Sequence, residues 1–246
     1  MLLSELRHAA GRRLRNLRRN RIEGVGHDFV GDIGSRLPHV PIRTIFDVGA
    51  HIGMTAIEYS DEFPKAEVWA FEPQPGNFAR MKSNLVGKPG VRLHQLGMGR
   101  EPGELPFHFD PEHPSMARIA SHDETQTDLV EIDTLDRFTA ANGVRQIDLL
   151  KVDVEGHELP VLAGAAQLLS EGRIAIIRLE TAIDPDIFYH TQLFDTCEHL
   201  HPFGYRLFGF YDQWEFPREN SAKLRRFDSV FISPRAQERA IHSVRT

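Results

Sequence analysis

Short apolar runs that close on an acid recur along this chain, and helical stretches separate them. TIFD (residues 44–47), AEVWAFE (66–72), IDLLKVD (147–153) and RIAIIRLE (173–180) each end this way. VRLHQL (91–96) is a further apolar run of similar length. Between them Met54–Glu62, Gly76–Leu85, Thr134–Asn142, Leu159–Leu169 and Gln192–His201 carry helical periodicity. Strands alternating with helices predict a mostly parallel sheet covered on both faces, an α/β Rossmann-like architecture. The stretch 97–131 interrupts the alternation. It is rich in Gly, Pro, His and acids, with strand-like pieces at ELPFHF and DLVEI, and reads as a hairpin carrying a loop. YRLFGF and FDSVFIS supply the last two strands.

The chain has 246 residues, enough for one full core, and a net charge of −6 that does not favour nucleic acid as a partner. The organisation expected is a basic appendage over residues 1–26 and one domain over residues 27–246. Cys197 is the single cysteine, so an intrachain disulfide is excluded and a reducing, cytoplasmic location is expected. No apolar run is long enough to span a bilayer, so stable membrane insertion is not expected. The first residues carry Arg7, Arg12, Arg13, Arg15, Arg18, Arg19 and Arg21 beside an apolar stripe of Leu3, Leu6, Ala10, Leu14 and Leu17. That pattern is a basic amphipathic helix that packs on the domain or on a second copy, which allows a homodimer. An anionic membrane surface or an organelle presequence are sharper readings of the same stripe.

In open α/β sheets ligands sit beyond the carboxyl ends of the strands. TIFDVGAHIG lies at such an end, with Asp47 first and Gly49 and Gly53 after it. A pyrophosphate ligand would require the tighter GxGxxG pattern, and Asp47 would repel it. An acid at this place attracts a cation instead. Glu72 ends the second strand, where a carboxylate accepts hydrogen bonds from ribose hydroxyls. A ligand with a ribose, a positive charge and no phosphate is S-adenosylmethionine. The third constellation is DVEGHE, with Asp153, Glu155, His157 and Glu158 within six residues of a strand end. Methyl transfer to oxygen needs a base for the hydroxyl proton, and His157 titrates near working pH, with Asp153 or Glu155 to orient it. The plainer reading is that Asp153 and Glu155 cap the next helix, which accounts for one acid and not for the cluster.

TIFDVGAHIGMTA, KAEVWAFEPQPGNF, VEIDTLDRF and LLKVDVEGHELPVLAGA, taken in order, resemble the FkbM family of methyltransferases. The resemblance implies a class I methyltransferase fold, a seven-stranded sheet with an antiparallel last strand. It implies an O-methyltransferase using S-adenosylmethionine on a small-molecule hydroxyl, such as a sugar, glycoside or other natural product. Carried over by position, Asp47, Gly49, Ala50 and Gly53 would line the cofactor, and Glu72, Pro73 and Asn77 would surround its ribose. Gly97 and Met98 would sit near the adenine. Asp153, Glu155 and His157 would face the methyl and the acceptor, with Glu180 completing an acidic rim. An alternative arrangement places Mg2+ on Asp153, Glu155 and Glu180 to lower the hydroxyl's pKa. Two other classes stand as rivals: a cofactor-binding scaffold without catalysis, and a nucleotide-linked oxidoreductase, which the missing third glycine disfavours. Phe208, Phe210, Tyr211, Trp214 and Phe216 offer either core packing or a stacking surface for the acceptor. The loop with His108, His113, His122, Asp110 and Asp123 fits no zinc pattern and reads as a substrate loop carrying Ser115 and Arg118.

Overall fold

The computed structural model describes residues 25–108, 118–119, 127–187, 190–215 and 224–237. The basic helix expected before residue 25 and most of the histidine-bearing loop lie outside the described residues, as do Phe216 and the side chain of Trp214.

A first helix, α1 (Phe29–Arg36), is capped by Asp28, whose carboxylate accepts from the Gly31 amide. The alternating pattern then unfolds as expected. β1 (Thr44–Val48), α2 (Met54–Glu62), β2 (Glu67–Phe71), α3 (Pro75–Asn84) and β3 (Val91–His94) follow one another. An excursion supplies β4 (Gly97–Met98), β5 (Gly103–His108), β6 (Arg118–Ile119) and β7 (Thr127–Asp133). It forms a separate four-stranded sheet, ordered β4-β7-β5-β6, in which β5 and β7 make the expected antiparallel pair. Then come α4 (Leu135–Ala141), β8 (Ile147–Val152), α5 (Glu158–Ala163), α6 (Ala166–Ser170), β9 (Ile174–Ala182), α7 (Leu193–Leu200), β10 (Arg206–Glu215) and β11 (Leu224–Ile232).

The main sheet has seven strands in the order β10-β11-β9-β8-β1-β2-β3. β11 runs antiparallel to both β9 and β10, while β9, β8, β1, β2 and β3 are mutually parallel. This is the class I methyltransferase topology. β8 is buried along its whole length, as a central strand covered on both faces must be. Period-two alternation divides the core. Phe46, Val48, Leu150 and Val152 face one cluster; Ile45, Leu149 and Ile176 face the other.

One expected helix is two. The periodicity over Leu159–Leu169 breaks at Gly164 and Ala165, between α5 and α6. The Asp136 amide donates to the Gly164 carbonyl, and the Asp136 carboxylate accepts from Gln167 and Leu168 at 2.8 and 2.9 Å. A carboxylate from α4 thus starts a new helix where the old one would have continued. Gly164 lets the Gly99 backbone approach at the break, since a Cβ there would lie 2.0 Å from the Gly99 carbonyl oxygen.

Candidate active site

A cavity opens at the carboxyl ends of β1, β2 and β8, where the strand order reverses. One end is built by Glu72. Its side chain is 5% exposed, and its two oxygens accept from the amides of His51 and Gln74, each at 2.9 Å. The side chain of Asn77 also bonds it. Asn77 is held in turn: Gln74 caps α3 by accepting from the Asn77 amide, and Pro75 occupies the first helical turn. Burial pushes the Glu72 carboxyl up to about 7 despite these donors. Pro73, Gly97 and Met98 line the same end, with Phe71, Leu96 and Ile132 as apolar walls.

The other end is the turn after β8. Asp153, Val154, Glu155 and His157 line it, and Gly49 faces them. Gly49 has φ +80°, and a Cβ on it would stand 1.8 Å from the Asp153 carbonyl oxygen, so only glycine lets these two strand ends approach. Glu155 itself has φ +53°. A β-carbon-bearing residue held there costs about 1–3 kcal/mol, and such strain clusters at functional sites. Glu158 fixes the turn. It is fully buried, and its Oε1 accepts from the amides of Val154 and Gly156 at 3.0 and 3.2 Å. The helix that follows has no side-chain cap at its N-cap, His157, so the capping role weighed for Asp153 or Glu155 is not seen; Glu158 instead ties down the turn before the helix. Its other oxygen accepts from the Thr191 hydroxyl, on the loop after β9.

That loop brings in a residue no motif indicated. His190 is 5% exposed, with Nδ1 3.3 Å from Glu180 Oε2 and Nε2 3.9 Å from Glu155 Oε2. Arg226, on β11, donates to Glu180 Oε1 at 2.6 Å and lies 3.4 Å from His190 Nε2. Burial raises Glu155 to about 7 and Glu180 to about 8, and lowers His190 to about 4. The oxygens and nitrogens of Glu155, Glu180 and His190 lie within 4.8 Å of one another. The acids thought of as a metal set are thus regrouped. Asp153 pairs with Lys151, while Glu155 and Glu180 gather around His190 with a guanidinium already among them.

Four residues expected at the site stand outside the cavity lining: Asp47, Ala50, Gly53 and Glu180. β1 runs one residue past Asp47, to Val48, and the pleat turns Asp47 onto the opposite face, toward Tyr59 and α2. There it is fully buried, 3.6 Å from Lys151 Nζ. Gly53 caps α2 at φ +85°, and a Cβ would meet Leu85 and Met81 of the α3 region, so its place is set by helix packing. Ala50 is 4% exposed within the same core cluster. Glu180 lies within β9, which continues to Ala182. His157 does line the cavity; its Nε2 is 4.0 Å from where a Cβ on Gly99 would stand, on the side of β4. Tyr211 is a core residue and donates to Asp32, and Phe210, partly buried, packs edge-on against the buried Phe227. No helix among the described residues is long and apolar enough to cross a membrane.

The family model described as Methyltransferase FkbM domain matches residues 47–207. The hexuronic acid methyltransferase AglP of Haloferax volcanii is 32% identical over 144 residues, covering 57% of this chain and 57% of that protein. The 2-O-methyltransferase NoeI of Sinorhizobium fredii is 28% identical over 149 residues, 54% of this chain and 61% of its own. The 31-O-demethyl-FK506 methyltransferase FkbM of Streptomyces tacrolimicus is 32% identical over 155 residues, 50% and 60% respectively. The matches therefore span less than two thirds of these relatives. Among solved structures, the methyltransferase FkbM from Methylobacillus flagellatus superposes with a TM-score of 0.51 at 19% identity, over 78% of this chain and 44% of that one.

Proposed function

Because the chain belongs to the FkbM family of methyltransferases, and so to the S-adenosylmethionine-dependent enzymes, we propose that it methylates a hydroxyl of a small polyhydroxylated molecule, a sugar or glycoside foremost. The observation that carries this reading is one cavity with a carboxylate at each end. Glu72 keeps acceptor capacity on two oxygens already steadied by amides, which fits a ribose diol. Asp153 presents a carboxylate that fits a cation. The apolar walls at the Glu72 end, Phe71, Leu96, Met98 and Ile132, fit a purine on the far side of the ribose. When bound, S-adenosylmethionine supplies a methyl group on a positively charged sulfur.

The chain's own residues supply position and a proton acceptor. We assign the acceptor role to Glu155. It stands on the cavity wall at the junction with His190, Glu180 and Arg226, a polar group suited to hydroxyls. A carboxyl near 7 is half ionised at neutral pH and takes a hydroxyl proton most effectively there. His157, the candidate from residue type alone, lies toward Gly99 and serves better to close the wall on the β4 side. A second reading puts a divalent cation on Glu155, Glu180 and His190. Arg226 within the group weighs against it, and turnover that survives EDTA would remove it.

The first experiment is calorimetric titration with S-adenosylhomocysteine, with NAD as control. Tight binding of the first and none of the second supports the reading, and methyl transfer to a panel of glycosides then tests the acceptor. No binding of S-adenosylhomocysteine overturns it.

A further inference from the structure

We infer that Asp47 and Lys151 form a buried charge relay that keeps Asp153 oriented and net negative toward a cationic ligand, so that the site discriminates the charge on the cofactor's sulfur. The inference rests on the reading of the cavity as the cofactor site.

Asp47 and Lys151 are direct partners in the parallel register of β1 and β8. Both point to the α2 face, because each is one residue short of its strand's end. Lys151 is 7% exposed; its Nζ donates to Asp153 Oδ2 at 3.0 Å and lies 3.6 Å from Asp47 Oδ1. Asp47 is 0% exposed, whereas the Asp153 side chain is 37% exposed and lines the cavity. One carboxylate therefore cannot reach a ligand, and the other can.

The charges decide what this achieves. A lysine that met Asp153 alone would fix it in place and cancel it. An ionised Asp47 on its other side, 3.6 Å away, neutralises the lysine, and the three groups then sum to one negative charge at the wall; burial pushes the Asp47 carboxyl up, and Lys151 opposes that. Burial pulls the Lys151 ammonium toward neutrality, but Asp153 and Asp47 outweigh that and hold it charged. Burial likewise opposes ionisation of Asp153, and Lys151 reverses it. Beyond this trio, Arg178 makes its hydrogen bonds to Asp228, Asp212 and the Tyr59 hydroxyl, and its charge favours the ionised Asp47 only as a minor contribution after Lys151. On the acceptor side Arg226 is bonded to Glu180. Neither cation takes the place of Lys151.

The test compares binding of S-adenosylmethionine and S-adenosylhomocysteine, which differ by the methyl group and its positive charge, without any acceptor. Calorimetry gives the affinity ratio for the wild type, Asp47→Asn, Lys151→Met and the double variant. The wild type should favour the cation. Asp47→Asn leaves Lys151 to cancel Asp153, and the ratio should fall about tenfold. Asp47→Asn with Lys151→Met leaves Asp153 as the one charge of the trio, and the ratio should recover. Lys151→Met alone leaves two like charges without their cation and should lower Tm; if it does not fold, the double variant still decides. An unchanged ratio in Asp47→Asn, as a neutral Asp47 would give, overturns the relay. So does a double variant that fails to recover, or a loss of both ligands in equal proportion. If the wild type binds neither ligand, the underlying cofactor reading fails instead.

Discussion

The Thr191 hydroxyl donates to the buried carboxylate of Glu158, and this bond ties the loop after β9 to the turn after β8. One residue before Thr191 is His190; three before Glu158 is Glu155. The bond therefore holds together the two segments whose polar side chains meet beside the cavity.

Removing that bond should be costly. Thr191→Val leaves a Glu158 oxygen buried without its donor, a loss of about 1–3 kcal/mol. A drop in Tm and in the denaturant midpoint is expected, together with a lowered kcat, because Glu155 and His190 lose their common anchor. Thr191→Ser should restore most of both. A Thr191→Val protein as stable and active as the wild type would refute the anchoring role.

Glu155 and His157 can be separated by kinetics. Glu155→Gln should lower kcat by about 10²–10⁴-fold with S-adenosylhomocysteine affinity nearly unchanged. His157→Gln should lower it far less. In the wild type the rate should rise with pH through about 7, because the base must be ionised, and this limb should vanish in Glu155→Gln. The charged and titratable groups around Glu155 are Lys151 from β8, Asp153 from the turn after β8, Glu158 from α5, Glu180 from β9, His190 from the loop and Arg226 from β11. The reverse ranking of the two variants would return the role to His157.

Glu72 makes a pH prediction with a definite sign. Its folded pKa of about 7 lies above the 4.5 of an unperturbed glutamate. Its contribution to stability is therefore fully present below pH 4.5 and is lost as pH rises through 7, on the order of a few kcal/mol. Thermal melts of the ligand-free protein should show Glu72→Gln at its greatest disadvantage near pH 5 and gaining on the wild type by pH 8. Hydroxyls donated by a bound ribose favour the ionised form, so S-adenosylhomocysteine affinity should increase from pH 6 to 8. The same slope in Glu72→Gln would assign it to another group.

The sequence by itself determined the order of strands and helices, because the period of its apolar residues and its turn chemistry are local properties. It also determined that Gly49, Glu72 and Asp153 would stand at strand ends, since each follows an apolar run, with Glu155 and His157 in the turn just after Asp153. The tertiary structure decided the rest. Asp47 and Asp153 look alike in sequence, as acids closing apolar runs. β1 continues one residue past the first and β8 stops before the second, so the pleat buries one and opens the other to the cavity. Glu158 reads as one more acid of a cluster until its two amide donors and Thr191 make it a staple. His190 lies in no motif. The loop after β9 brings it to Glu180 of that strand, and the sheet, by setting β8 and β11 beside β9, brings it to Glu155 and Arg226; hydrophobic periodicity carries no information about such long-range meetings.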